Sequence, residues 1–294
     1  MLIGAKLQNS GSLPMERGIP ELAAVLEAGG ADSIWVSDHV VMPREIKSRY
    51  PFAADGRATW PSDTPYIEAM IALALAAAAT RRVRLGTAVL VLPLRNPVMF
   101  AKQAASLDAT SHGRLELGLG AGWLEEEFDA LNVPFHRRGV QLSEWIAIAR
   151  ECWTGFPARR SSEDYLLPAD TVCLPSPPHR IPVLLGGHSD LALRRVGTLA
   201  DGWLGQQSAS ELDPDSIVSA RTRFMDAARR AGREDGSIRT VLRIVESAGH
   251  AEAVADNLAS LAQAGVDEVI VDLSWQSDDQ DAQLSVLRAA AAAA

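Results

Sequence analysis

Asp38 and His39 are the first residues whose types and position point to chemistry. They follow Ser33-Ile34-Trp35-Val36, an apolar run of strand character. A carboxylate and an imidazole are costly to bury at such a place unless paired. An imidazole held at a strand end can act as an acid or base near neutral pH. The structural alternative is a pairing that orders the loop that follows. Two glycine-rich stretches form the second signal. "GLGAGW", with Gly120, Ala121, Gly122 and Trp123, lets backbone approach a ligand closely. "GGHSD", with Gly186, Gly187 and His188, leads into a helix whose first N–H groups can face an anion. Each is also an ordinary strand-to-helix turn. "GLGAGW" departs from the dinucleotide fingerprint, because Glu125 stands where its last glycine belongs. No G-x-S-x-G and no H-E-x-x-H occurs, and no metal-ligand spacing is present. Two glycine-rich turns, two tryptophans, Trp123 and Trp275, and few charges at the strand ends imply a pocket for something flat with a phosphate at one end.

The elements that must position these residues alternate regularly. Apolar strand candidates fall at 2–7, 33–37, 83–91, 114–120, 181–187, 201–205, 240–247 and 267–273. Helical patterns separate them at 19–30, 66–80, 97–110, 126–132, 142–153, 189–200, 216–232 and 251–265, with an alanine-rich helix from about 279. Strands separated by helices pair in parallel. Strands that are apolar throughout fit a sheet covered on both faces. Eight such units predict a closed α/β fold, a (β/α)8 TIM barrel over residues 1–294 as one domain, with an open doubly wound sheet as the alternative. Residues 40–65 and 154–180 are long, proline-rich connections, read as insertions in the loops at the C-terminal face and as candidate lids. In such a barrel the site lies at the C-terminal ends of the strands. That places Asp38 and His39 after strand two, Ala88 and Val89 on strand three, and the two glycine turns after strands four and five.

The net charge of −9 and pI near 5.2 argue against nucleic-acid binding through a general basic field. Cys152 and Cys173 show no paired motif and read as free thiols of a reducing compartment. The start lacks the pattern of a signal peptide, and the apolar run Ala69–Ala79 is shorter than the about 20 residues that span a bilayer. The expectation is a cytoplasmic protein with no membrane partner.

The run "RVRLGTAVLVLPLRNPVMFAKQAASLDATSHGRLELGLGAGWLEEEFDALNVPFHRRG" resembles the luciferase-like monooxygenase superfamily, most closely its branch of coenzyme F420-dependent oxidoreductases. "ADSIWVSDH" and "IPVLLGGHSDLALRRVGTLADGWLG" support the resemblance, which covers roughly residues 1–205. It implies a barrel binding a deazaflavin or flavin at its C-terminal mouth. It also implies a bulge in strand three with a non-prolyl cis peptide at Ala88-Val89, buttressing the ring. The turns Gly120-Ala121-Gly122 and Gly186-Gly187-His188 then approach the ribityl-phosphate part. His39, with Asp38 beside it, matches a histidine near the reactive end of the ring. Trp123 stands where a sugar-phosphate dehydrogenase of the family has a glutamate, so that enzyme's acid–base arrangement does not carry over.

The function expected is F420-dependent hydride transfer to or from a small organic substrate, by a homodimer. The alternatives are a reduced-FMN-dependent monooxygenase of the same superfamily and a non-catalytic flavin-binding protein. A Schiff-base lyase is disfavoured, because Lys6 lies inside strand one and no lysine stands at a strand end. A Gly187→Val change is expected to weaken cofactor binding more than folding.

Overall fold

A computed structural model describes residues 1–53, 55–58, 60–234, 238–277 and 279–294. In chain order the elements are β1 (Leu2–Lys6), α1 (Leu13–Glu16), α2 (Ile19–Ala28), β2 (Ser33–Val36), α3 (Ala69–Ala79), β3 (Arg84–Val91), α4 (Pro97–Thr110), β4 (Leu115–Gly120), α5 (Glu125–Ala130) and α6 (Arg138–Cys152). There follow β5 (Arg160–Ser161), β6 (Leu166–Leu167), β7 (Val183–Gly186), α7 (Asp190–Leu199), β8 (Gly202–Ser208), α8 (Pro214–Arg230), β9 (Arg239–Val245), α9 (Ala251–Gln263), β10 (Glu268–Val271) and α10 (Gln280–Ala293).

Eight strands pair in parallel and close into a barrel in the order β1-β2-β3-β4-β7-β8-β9-β10. They are the eight strands expected from the sequence, and the fold is the (β/α)8 barrel. The register of β3 on β4 slips between Thr87 and Leu90, and the Ala88-Val89 peptide is cis. The bulge therefore lies where the resemblance placed it. Ser189 caps α7, accepting from the N–H of Ala192, as its hydroxyl allows.

Period-two alternation stacks the barrel interior in layers. At the N-terminal end Arg84 and Arg239 each bridge the buried carboxylates of Glu116 and Glu268. Ser33 donates to Glu268 and receives the Trp35 indole N–H. Above this ionic ring Trp35, Ala88, Leu184, Leu204, Val241 and Ile270 form an apolar plug. A residue two further along β1, β9 and β10 gives a third, polar layer at the C-terminal end, with Lys6, Arg243 and Asp272.

The two long connections take different courses. Residues 40–65, apart from Ala54 and Thr59, which lie outside the described residues, follow β2 and cover the mouth. Residues 154–180 follow a helix, so they leave from the opposite end of the barrel. They run along α4 and α6: Lys102 of α4 donates to the Leu174 carbonyl, Tyr165 stacks edge-on against Trp145, and Arg137 forks onto Asp164. The short hairpin β5–β6 and the single-turn α1 were not foreseen. Two-residue strands and a four-residue helix carry too little periodicity to be read. Among the described residues no helix is long and apolar enough to cross a membrane.

α3 is apolar on every side. Met70, Leu73 and Ala76 are buried, while Ile71 and Leu75 stay exposed, with Met99 of α4 also exposed. A helix hydrophobic all round is ordinarily covered on both faces.

Candidate functional site at the barrel mouth

Asp38 is buried because both of its oxygens are used. Arg95 donates Nη1 to Oδ2 and Nη2 to Oδ1, each at 2.7 Å, and the Val91 N–H donates to Oδ2 at 2.9 Å. Arg95 also reaches Glu68 at 2.9 Å. Burial pushes the Asp38 carboxyl up, and Arg95 opposes it. The bidentate pair ties the end of β2 to the end of β3, directly beyond the bulge.

His39 has a different partner. Its Nδ1 lies 3.1 Å from Oε2 of Glu127, and the ring is 9% exposed. Glu127 also accepts the N–H groups of Val40, at 2.5 Å, and Val41. A carboxylate only accepts, so in the neutral ring Nδ1 carries the proton and Nε2 the lone pair. Around the imidazole stand Tyr66, Trp60 and Trp123, with ring centroids at 5.2, 5.9 and 6.2 Å. The Trp60 indole N–H is buried without a hydrogen-bond partner among the described residues. An orphaned donor on a ring that neighbours the imidazole is a group that a ligand oxygen can complete.

The long loop is laced across the mouth. Glu126 accepts from the N–H groups of Lys47 and Ser48 and from the Ser48 hydroxyl. Tyr50 packs edge-on against Trp60 and Trp123, and its hydroxyl is 3.5 Å from Gln206 of β8. Phe52 reaches His188 at 5.8 Å. Asn9, fully buried, closes the base: its amide donates to the Ser37 and Ile67 carbonyls.

The glycine turns meet at the bulge. A Cβ on Gly120 would stand 2.7 Å from Val89 Cγ2, and one on Gly186 would stand 3.0 Å from Val89 Cγ1. Both glycines thus make room for Val89, which is partly exposed between buried neighbours on β3. Gly122 has φ +86°, and its Cβ would meet Phe128 and Val91 at 2.7 Å. Gly187 has φ +119°, and its Cβ would meet Ala192 at 2.8 Å. Valine at 187 would strain the backbone before meeting any ligand, so that substitution does not separate binding from folding. His188 stays at the rim, its Nε2 accepting the Gln206 N–H at 3.1 Å.

Two arginines flank these turns. Arg138 donates to the Gly122 carbonyl at 3.2 Å and lies 3.7 Å over the Phe135 ring. Arg195, on α7, lies against Gly139, and its guanidinium has no hydrogen-bond or ion-pair partner among the described residues. Burial and then Arg138 lower the Arg195 pKa. Adjacent cations with no acid between them fit an anionic group such as a phosphate.

Sequence reasoning reached His39, Asp38, the bulge and both turns, and the structure brings them to one mouth. It missed Glu127, Arg95, Tyr50, Trp60, Tyr66, Lys6, Arg243, Arg138 and Arg195. For Glu127 a signal existed. It shares a helix face with Leu124, Phe128 and Leu131, an acid among apolar residues.

The sequence model of the family described as luciferase-like monooxygenase matches residues 5–293. The chain belongs to that family. An uncharacterised protein of Mycobacterium tuberculosis is 37% identical over 212 residues, 72% of each chain. An F420-dependent glucose-6-phosphate dehydrogenase of Nakamurella multipartita is 29% identical over 230 residues, 77% of this chain and 62% of that one. Among solved structures, an F420-dependent secondary alcohol dehydrogenase in complex with an F420-acetone adduct superposes with a TM-score of 0.78. It covers 99% of this chain and 98% of its own at 17% identity, a likeness of fold.

Proposed function

We propose that this chain is a coenzyme F420-dependent oxidoreductase that moves a hydride between the deazaflavin and a small organic substrate, with His39 as acid–base residue. The observation that carries the reading is the His39 imidazole, held at Nδ1 by Glu127 among the aromatic side chains of the mouth. The F420-dependent relatives support the choice of cofactor. F420 supplies a ring carbon that gives or takes a hydride.

The residues divide the remaining work. Ala88 and Val89 would buttress the ring. Gly120, Ala121, Gly122, Gly186, Gly187 and His188, with Arg138 and Arg195, would hold the ribityl and phosphate part. His39 Nε2 takes the proton of a substrate hydroxyl as it becomes a carbonyl, or returns it in reduction. Trp60 donates to the same oxygen, and the aromatic loop keeps water out. Asp38, through Arg95, is a positioning residue. Incubation with oxidised F420 and a panel of primary and secondary alcohols tests the reading. Bleaching of the violet absorption band is expected with at least one. No bleaching with alcohols, and no recovery of colour when reduced F420 meets the matching carbonyls, would refute it.

Arg195 gives a sharper check of the phosphate end. Arg195→Ala is expected to weaken F420 binding about tenfold, or about 1.4 kcal/mol, with the melting temperature unchanged, because no partner is lost. Fluorescence titration and thermal unfolding on one sample measure both.

The cytoplasmic homodimer belongs to the same proposal. The exposed Ile71, Leu75 and Met99 face supports self-association. Light scattering is expected to give a dimer for the wild type and a monomer for Ile71→Glu; a wild-type monomer at micromolar concentration contradicts it.

A further inference from the structure

The third layer of the barrel interior holds charges that no step above uses. Lys6 and Arg243 are 6% and 8% exposed. Lys6 Nζ donates to Asn9 Oδ1 at 3.1 Å and to the Ser37 hydroxyl. Arg243 donates Nη2 to Asp272 Oδ1 at 3.0 Å, and its Nη1 approaches the Ala88 carbonyl at 3.4 Å and the Ser37 hydroxyl at 3.5 Å. Two basic side chains therefore share one acid beneath the mouth, and one of them touches the backbone of the bulge.

Buried charges are ordinarily matched. Asn9 and Ser37 are neutral, and Asp272 is engaged by Arg243. Burial, and then Arg243, press Lys6 well below the usual lysine range, against a smaller pull from Asp272. Above the layer, Arg243 opposes the upward push of burial on the phenols of Tyr50 and Tyr66, while Glu246 acts on Tyr50 in the other sense. The layer thus holds one basic group more than it has acids, and an anion above it would let Lys6 keep the charge that burial and Arg243 disfavour.

We infer that Lys6 and Arg243 form a cationic floor that favours the deprotonated, anionic form of the ring bound at the bulge. The inference rests on the F420 reading. The deazaflavin of F420 bears an acidic ring hydroxyl, and loss of its proton spreads negative charge to the opposite, pyrimidine edge. An opposite charge within hydrogen-bonding range shifts such an equilibrium by a factor of about ten or more. The side chains packed below the floor, Trp35, Ala88, Leu184, Leu204, Val241 and Ile270, are apolar.

Absorbance reads this directly, because the neutral and anionic rings have different bands. At a pH where free F420 is half-ionised, F420 bound to the wild type is expected to be at least about tenfold enriched in the anion. Lys6→Met is expected to lose most of that enrichment, and Lys6→Arg to retain it. A bound spectrum equal to that of free F420 overturns the inference using the wild type alone, whatever becomes of the variants. An unchanged spectrum in folded Lys6→Met overturns the role of Lys6. Failure of F420 to bind at all refutes the cofactor reading instead, and this inference with it.

Discussion

His39→Ala is expected to lower turnover by about 10²–10⁴, the usual worth of general acid–base help, while F420 affinity stays within about tenfold. The ring is held by one hydrogen bond, to Glu127, and by three aromatic neighbours. It makes no contact that the barrel needs to close. Glu127→Gln probes the same step from behind. Its amide can donate to Nδ1, which would move the imidazole proton to Nε2 and remove the lone pair from the mouth. Turnover in the oxidative direction is then expected to fall by a similar factor, with His39 still in place. Melting temperature, F420 dissociation constant and turnover, measured on both variants, separate this from a structural role. Stability and affinity falling together, with activity in proportion, would contradict it.

Asp38→Ala is expected to act mainly on stability, by about 3–5 kcal/mol in urea unfolding. It would leave Arg95 buried beside Glu68 alone, and the Val91 N–H without its acceptor. Because that N–H adjoins the bulge, F420 affinity should fall with stability. Arg95→Met in the Asp38→Ala background should restore part of the loss, since the uncompensated charge is then gone. A loss under about 1 kcal/mol would mean that the pair behaves as a surface ion pair and does not anchor the loop.

The contrast between these adjacent residues shows what a sequence can convey. That a polar pair ends an apolar strand is visible at once, and so is its place at the barrel mouth. Which member faces the ligand depends on Arg95 and Glu127, 57 and 88 residues away. No local pattern encodes those contacts. The eight strands were legible because their apolar runs are fixed by burial on both faces. The glycines were legible as turns, but the reason for Gly120 and Gly186, the bulk of Val89, is a tertiary fact. The polar layer of Lys6, Arg243 and Asp272 was hidden because each sits singly in an otherwise apolar strand or at its end. Residues 154–180 looked like a second lid by composition. Their position after a helix sends them along the outside of the barrel.

The central claim is the deazaflavin site, and titration of the protein with F420 and with FMN, followed by ligand fluorescence, tests it most directly. Saturable F420 binding is expected, tighter than FMN binding and weakened in Arg195→Ala. FMN binding as tightly or more tightly, together with NADH-driven oxygen consumption when a flavin reductase is supplied, would contradict it and make the chain a reduced-FMN-dependent monooxygenase.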